Sequence, residues 1–145
     1  MVRRRPLLPL LAVLAALLGM AGSARGATIA VDGSTFRVAG AAGEADDFTL
    51  TLASSYVELA FPSAGALTSS TGYCYLRTTK AMRCARPAAL ALDLGDGNDR
   101  LTVTGAYPVP LTVVDGEGDD VVSGGAGADT FVDGPGDDAF AGGAG

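Results

Sequence analysis

Four large apolar residues in the last third of the chain keep a fixed distance from aspartates. Each stands two positions after an aspartate, and the last three of these pairs recur at intervals of nine residues. The pairs are Asp99 with Leu101, Asp120 with Val122, Asp129 with Phe131, and Asp138 with Phe140. Residues i and i+2 of a β-strand point to the same face of the sheet. We therefore predict short strands whose apolar residue enters a core while the aspartate turns its carboxylate towards the preceding loop.

Residues 28–92 also have the pattern of β-strands. The segments STFRV, DFTLTLA and SYVELAF alternate or cluster β-forming residues, and Gly, Pro and Ser separate them. The segment YCYLRTTKAMRC is typical of a hairpin with Cys74 and Cys84 on opposite strands. The sequence therefore predicts an all-β fold.

The nine-residue period has a fixed internal pattern. Three consecutive copies begin at Asp115 (DGEGDDVVS), Gly124 (GGAGADTFV) and Asp133 (DGPGDDAFA), a fragment GGAG begins at Gly142, and an earlier copy, LGDGNDRLT, covers 94–102. Positions two and four are always glycine, and position six of every full copy is aspartate. Glycine adopts backbone conformations, and allows close approaches, that a Cβ atom forbids. Positions one to six are therefore predicted to form a tight turn with exposed carbonyl oxygens.

Stacked turns of this kind would form metal sites made only of oxygen atoms. Two nonapeptides give one coil of eighteen residues, so like loops of successive coils lie together. An anionic, flexible, all-oxygen ligand set favours Ca²⁺ over a transition metal. We expect the best-formed site between the 115–120 and 133–138 loops, and a site for Asp99 with the 115–120 loop if residues 103–114 bulge out. The candidate metal-site residues are Asp99, Asp120, Asp129, Asp138, Gly116, Gly118, Gly125, Gly127, Gly134 and Gly136.

These repeats resemble the calcium-binding nonapeptide of RTX (hemolysin-type) proteins, G-G-x-G-x-D-x-U-x, which GGAGADTFV matches. The resemblance covers residues 94–102 and 115–145. It implies a small β-rich N-terminal half followed by a right-handed parallel β-roll (β-helix), with Ca²⁺ between loops of successive coils. Residues 103–114 (VTGAYPVPLTVV) depart from the pattern, since they are twelve long and carry no acid. AGEADDFTL (42–50) is open to interpretation as a degenerate earlier copy with Asp47 in the acid position.

Charge divides the chain into two parts. The 145-residue chain has a formal net charge of −6 and no histidine, which excludes Ser-His-Asp catalysis, Cys-His catalysis and His-ligated zinc. Residues 28–92 hold five acids and five bases, whereas residues 93–145 hold eleven acids and one base, Arg100. A chain this acidic is a poor nucleic-acid ligand. We predict a β-rich domain at 27–92 and a calcium-binding β-roll at 93–145.

Residues 1–26 have the order of a secretory signal peptide: three arginines, an apolar run, then small residues. An uncleaved membrane anchor is the alternative, but the run is short for a membrane span and Pro9 interrupts it. The sequence therefore predicts a secreted protein with no stable membrane span in its mature form, and the resemblance to RTX proteins implies a bacterial one. In an exported chain, Cys74 and Cys84 most simply form one disulfide.

Two features of the chain allow more than one interpretation. Arg77, Lys80, Arg83 and Arg86 lie together in the hairpin, where they would either meet a polyanion or, more simply, form a solvated charged face. The chain stops at Gly145 inside a nonapeptide, so we expect a roll that continues further or that a partner chain covers.

Three functions are compatible with these features. The first is a secreted calcium-ion-binding repeat protein in which Ca²⁺ drives folding of residues 93–145, which would be open without metal. The second is an extracellular adhesion or interaction protein that uses the roll as a calcium-stiffened stalk. The third is an enzyme with a repeat appendage, which the absence of H-E-x-x-H and G-x-S-x-G disfavours. We expect a non-enzymatic protein that binds calcium ions, and nothing in the sequence names a protein or surface partner.

Overall fold

The computed structural model describes residues 27–41, 43, 45–62, 68–69 and 72–145. These residues form thirteen β-strands and no helix. The predicted signal peptide, residues 1–26, lies outside the described residues. The all-β prediction is confirmed.

The strands follow one another through short turns and loops. Their bounds are β1 Thr28–Asp32, β2 Thr35–Ala39, β3 Asp47–Leu52, β4 Tyr56–Ala60, β5 Thr68–Ser69, β6 Cys74–Thr78, β7 Ala81–Ala85, β8 Ala89–Asp93, β9 Arg100–Thr104, β10 Leu111–Val114, β11 Val121–Ser123, β12 Thr130–Val132 and β13 Ala139–Ala141.

The strands form two mixed sheets. The first has the order β12-β10-β8-β2-β1-β5, and the second has the order β13-β11-β9-β3-β4-β7-β6. From β8 onwards, successive strands alternate between the first and the second sheet, and neighbours within each sheet are parallel. Antiparallel pairs are found only among the earlier strands of the described chain.

The nine-residue period sets the register of the later strands. Thr112 pairs with Thr130, and Val121 pairs with Ala139, so each of these partners lies eighteen residues, or two nonapeptides, further along. Between the two preceding strands of the first sheet, Leu90 pairs with Leu111 at a separation of twenty-one. The three additional residues belong to the segment from β9 to β10, which contains the irregular sequence 103–114.

The two predicted modules share their sheets. β2 pairs with β8 in the first sheet and β3 pairs with β9 in the second, over five residues each. The proposed boundary between residues 92 and 93 lies inside β8. Apolar residues from both parts, such as Phe48 and Leu101, form one core.

Burial alternates along the strands, as a two-sheet packing requires. β3 has the sequence DFTLTL, and its Phe48, Leu50 and Leu52 are buried. At position eight of the repeats, Leu101 and Val122 are also buried, as the pattern predicts. Phe131 is partly buried, and Phe140 remains 38% exposed because β13 is the outermost strand of its sheet. The two rings contact each other with their centroids 5.3 Å apart.

The hairpin in the N-terminal half is formed by β6 and β7. Cys74 lies opposite Cys84 in this antiparallel pair, and a disulfide joins them. The predicted disulfide is confirmed.

Over the described part of the chain, no helix has the length and apolar character needed to cross a membrane.

Candidate metal centre

Four loops stack at one edge of the two sheets. Because β2, β8, β10 and β12 are parallel in the first sheet, their C-terminal ends lie at the same edge. The loops that follow these strands contain, among the described residues, 40–41, 43 and 45–46, then 94–99, 115–120 and 133–138. We call this stack the acidic edge. The loops that lead back to the first sheet, 105–110 and 124–129, lie at the opposite edge.

Glycine allows the loops of the acidic edge to touch. Gly116 and Gly118 have φ angles of 103° and 139°, which L side chains rarely adopt. A Cβ atom on Gly116 would overlap the carbonyl oxygen of Gly95, and one on Gly118 would overlap that of Gly97. Gly134 and Gly136 meet Gly116 and Gly118 in the same way in the next loop of the stack. The structure therefore stacks the predicted glycines of this edge directly on one another.

The position-six aspartates form a ladder across these loops. The Asp99 N–H donates to Oδ1 of Asp120 at 2.6 Å, and the Asp120 N–H donates to Oδ1 of Asp138 at 2.9 Å. Asp46 extends the ladder backwards, because its N–H donates to Oδ1 of Asp99 at 2.6 Å. The carboxylates of Asp99, Asp120 and Asp138 therefore each hold the preceding loop of the stack through one oxygen.

Asp46, rather than Asp47, occupies the acid position of the earlier loop. Asp46 is buried and its Oδ2 accepts the N–H of Ala41 at 3.1 Å, whereas Asp47 is exposed at the start of β3. The interpretation of 42–50 as a copy with Asp47 as the acid was therefore wrong by one residue. Two adjacent aspartates left that choice open in the sequence.

A second ladder runs along the outside of the same loops, at position five. Oδ1 of Asn98 accepts the N–H of Asp119 at 3.1 Å, and Oδ1 of Asp119 accepts the N–H of Asp137 at 3.0 Å. Sequence reasoning assigned no role to this position. The signal was present, because the three copies at the acidic edge have Asn-Asp or Asp-Asp at positions five and six while the intervening copy has Ala128-Asp129.

Three buried carboxylate oxygens at the acidic edge have no hydrogen-bond partner. They are Oδ2 of Asp99, Asp115 and Asp120, whose residues are 2%, 0% and 1% exposed. Among the described residues, no basic side chain forms a salt bridge with any of the three. A buried, ionised and unpaired carboxylate is strongly unfavourable, and a proton or a cation is what relieves it.

Asp115, Asp133 and Asp138 form a cluster that could hold a metal ion. One carboxylate oxygen from each lies within 4.8 Å of the others. Asp138 was a predicted ligand, but Asp115 and Asp133, at position one, were missed because that position was assigned to the turn. One feature of the sequence could have indicated them. Aspartate stands at position one of two copies that are eighteen residues apart, whereas the copy between them begins with Gly124.

The resolved pKa shifts at the acidic edge come first from burial and then from neighbouring negative charge. Burial raises the pKa of Asp99 to about 6. The hydrogen bond from the Asp46 N–H acts in the opposite direction, and the negative charges of neighbouring acids add to the increase. Burial also raises the pKa of Asp120, and the charge of Asp115 is the strongest of the acids acting on it. Desolvation, followed by the charges of Asp138 and Asp115, raises the pKa of Asp133. Every shift resolved here favours the neutral form.

Asp129, with Gly125 and Gly127, lies apart from the other candidates, at the opposite edge. Its Oδ1 accepts the N–H of Leu111 at 3.1 Å, and its Oδ2 accepts the N–H of Gly125 at 2.8 Å. Asp129 contacts Leu111 of the neighbouring strand, and Leu111 pairs with Leu90, so no ladder of acids forms there. The structure gives Asp129 two backbone partners and does not bring it to the acidic edge.

The cationic residues of the hairpin contact groups of the same chain. Arg83 donates to Oε2 of Glu58 at 2.6 Å and lies over the ring of Tyr56. Lys80 donates to the carbonyl of Pro62, and Arg86 donates to that of Ser54. These contacts accord with the simpler of the two interpretations of the basic cluster.

Comparison of the chain with known proteins adds no relative to this description. No family model, no curated protein and no solved structure matches it. The resemblance to calcium-binding nonapeptides therefore rests on the residues themselves and on their spacing.

Proposed function

We propose that the chain is a secreted calcium-ion-binding repeat protein. The observation that carries this proposal is the set of three buried, unpartnered carboxylate oxygens, on Asp99, Asp115 and Asp120, in stacked loops. A cation between the loops would bind these oxygens and compensate their charge. The disulfide supports an extracellular location, because disulfides persist in oxidising compartments.

The chemistry of the ligands favours Ca²⁺. The chain has no histidine, and both of its cysteines are in the disulfide, so the donors available at the acidic edge are oxygen atoms. Ca²⁺ takes six to eight oxygen ligands from carboxylates and carbonyls in flexible geometry. Asp115, Asp133 and Asp138 would hold one ion, and Asp120 would hold another against the 94–99 loop.

We propose further that residues 93–145 are a right-handed parallel β-roll of calcium-binding repeats. The alternation of strands between the two sheets and the eighteen-residue pairing interval support this assignment. The eleven acids of this part, which holds only one base, repel one another without metal. The free energy of ion binding therefore contributes directly to the free energy of folding. Since β2 and β3 pair with β8 and β9, we expect this coupling to reach the N-terminal half as well.

Measured calcium binding with two matched variants tests the proposal. Equilibrium dialysis of the purified chain should show saturable Ca²⁺ binding at about 10⁻⁴ to 10⁻³ M, the range of extracellular modules. Asp120→Asn keeps the acceptor for the Asp99 N–H but removes the charge, and it should lose bound calcium. Asp129→Asn changes the same repeat position at the opposite edge and should leave the stoichiometry unchanged. No saturable binding by wild-type protein, or equal losses in the two variants, would contradict the proposal.

A second candidate is an extracellular interaction protein that uses the repeats as a stiff support. Tyr73, Tyr75 and Leu76 are 63%, 56% and 55% exposed on or beside β6, the outermost strand of the second sheet. Exposed large apolar residues in a group are typical of interaction sites. A pull-down from the surroundings of the secreting cell, with calcium-loaded wild-type protein and a Tyr75→Ser, Leu76→Ser control, tests this alternative. Identical recovery with both proteins would refute it.

A further inference from the structure

We propose that the β6–β7 hairpin docks the protein edge-on onto the surface of an anionic lipid bilayer. The partner is the headgroup region of a membrane that contains acidic phospholipid, which the hairpin contacts without crossing the bilayer. Docking rests on the second candidate function, an extracellular interaction protein, and names the class of its partner. It uses the end of the second sheet that is farthest from the repeats and does not involve the acidic edge.

The hairpin end of the molecule is positively charged, although the chain as a whole is acidic. Residues 59–92 contain four basic residues and no acid, whereas residues 93–145 contain eleven acids and one base. Among the described residues, Glu58 forms salt bridges with two of the four, Arg77 and Arg83. The other two donate hydrogen bonds to carbonyl groups, which leave their charge uncompensated. Four positive charges therefore accompany one negative charge at this end.

The acids of the repeats are too far from the hairpin to cancel its attraction for an anionic surface. β6 is at one end of the second sheet, and β9, the first strand of that sheet to belong to the repeats, is four strands away. At about 4.8 Å per strand this separation is about 19 Å. Electrostatic interactions in physiological salt are screened over about 8 Å. A surface in contact with β6 is therefore largely screened from the repeats.

Large apolar side chains project from both faces of β6. Tyr75 lies opposite Arg83 on the outer face, and Leu76 lies opposite Met82 on the face that points towards the core. Met82 is 2% exposed, but Leu76, at the end of the sheet, is 55% exposed. Tyr75 is 56% exposed, and Tyr73, just before the strand, is 63% exposed. The exposed apolar groups therefore line the edge of the sheet rather than one of its faces.

A bilayer surface suits this arrangement better than a soluble polymer does. A polymer that lies on the sheet would contact one face of β6 and would leave either Tyr75 or Leu76 in water. A planar surface that meets the strand edge-on contacts both side chains at once. Tyrosine is enriched at the level of the lipid headgroups, and Lys and Arg keep their charge there while their stems cover apolar surface. Arg77 and Lys80, both exposed, place two cations beside the apolar groups.

The hairpin is preformed, and its edge is unsuited to pairing with a strand of another protein. The disulfide joins β6 to β7, and β7 pairs with β4 over five residues. A rigid surface avoids the entropy cost of ordering a loop on binding. The register of β6 shifts between Leu76 and Thr78. Such an irregularity on an edge strand disfavours extension of the sheet, so the exposed edge favours a membrane over an added strand.

Sedimentation with vesicles tests the docking. The secreted protein is used, because the three arginines and the apolar run of residues 1–26 would themselves bind lipid. In saturating CaCl₂ it should bind vesicles of equal parts phosphatidylcholine and phosphatidylglycerol. It should bind pure phosphatidylcholine vesicles, which have no anionic headgroups, at least about 30-fold more weakly.

Three variants locate the contact. Arg77→Gln combined with Lys80→Gln should lower the partition coefficient about 30-fold, since each cation near an anionic surface contributes about fivefold. Leu76→Ser should lower it about 10-fold, because a half-exposed leucine loses its burial in lipid. The matched control, Arg100→Gln combined with Val132→Ser, removes an exposed cation and an exposed apolar residue from the repeats and should bind as wild type does.

Several results would overturn the docking. They are no binding of wild type to the mixed vesicles, equal binding to both kinds of vesicle, and an equal loss in the control. Binding that survives Arg77→Gln with Lys80→Gln would indicate calcium bridges between the acidic edge and the lipid instead. Binding unchanged in Leu76→Ser would indicate a purely electrostatic contact, as with a soluble polyanion. Calcium binding is measured separately by dialysis, so either proposal can fail alone.

Tyrosine fluorescence of the wild-type protein covers the case in which the hairpin variants do not fold. The chain has no tryptophan and four tyrosines, of which Tyr73 and Tyr75 are in the hairpin region. Mixed vesicles that carry a nitroxide high on the acyl chain should quench the tyrosine emission of the bound protein. Unquenched emission in the presence of these vesicles contradicts insertion of the hairpin edge.

Discussion

Without calcium, the protein should be more stable in mild acid than at neutral pH. This reverses the usual acid sensitivity, in which carboxylates are better accommodated in the folded state than in the unfolded chain. Asp99 is the main cause. It is 2% exposed, its Oδ2 has no partner, and its pKa rises from 3.8 to about 6, chiefly through burial.

The size of the effect follows from this shift. One pKa unit corresponds to 1.36 kcal/mol, so an ionised Asp99 destabilises the metal-free fold by about 3 kcal/mol relative to its protonated form. The favourable contribution of the protonated form is fully present below pH 3.8 and is lost as the pH rises through about 6. Burial also raises the pKa values of Asp93 and Asp120, which adds to the effect in the same direction.

The assay uses metal-stripped protein. Its far-ultraviolet β-sheet signal should be weak at pH 7 and should increase when the pH is lowered to 5. Asp99→Asn keeps an oxygen for the Asp46 N–H but does not ionise, so this variant should have a stronger β-sheet signal than wild type at pH 7 and a weaker pH dependence. With calcium present the trend should invert, because protons compete with the metal for the carboxylates. A wild-type β-sheet signal that is unchanged or decreases between pH 7 and pH 5 would refute the reasoning.

Two further predictions concern the scaffold of the site. Replacing Cys74 and Cys84 by serine should lower the free energy of unfolding by about 3 kcal/mol in the chain-entropy estimate, measured by urea titration in saturating calcium. The number of bound ions should not change, and loss of calcium binding in this variant would contradict the prediction. Gly118→Ala should cost about 3 kcal/mol and weaken calcium binding, since a Cβ there both strains the backbone and overlaps the carbonyl of Gly97. Gly33→Ala is the matched control: its φ is also positive, at 62°, but a Cβ would meet nothing within 4 Å, so only about 1 kcal/mol should be lost. Equal losses in the two glycine variants would show that the stacking of the loops is not what requires glycine.

The spacing of the repeats predicted most of the strands and their register in the later part of the chain. A nine-residue repeat with Asp at position six and an apolar residue at position eight is enough to place Asp120 and Val122 on one face. The eighteen-residue interval of two repeats is also the interval between paired residues of the later strands. It also explains why Asp129 stands apart, because alternate copies of a two-sheet arrangement fall at opposite edges. Local spacing therefore predicts local geometry well.

Long-range pairing was beyond the reach of the same pattern. β2 pairs with β8, whose residues lie 54 positions further along the chain. The sequence between these strands has no periodic pattern that would predict the pairing. Asp46 therefore joins the ladder through Asp99, although the two are 53 residues apart. Asp115 and Asp133 were missed for another reason, since a position-one side chain gains a role only when two loops are stacked. Both omissions concern contacts between loops that are distant in the sequence.

The most direct test is a calcium titration of metal-stripped full-length protein followed by far-ultraviolet circular dichroism at pH 7. Wild-type protein should gain a saturable β-sheet signal with Ca²⁺ and much less with Mg²⁺, which demands tighter octahedral geometry. Asp120→Ala combined with Asp138→Ala should abolish the gain, whereas Asp96→Ala, at an exposed position-three residue, should retain it. A wild-type β signal that chelation does not change and calcium does not increase would contradict metal-driven folding.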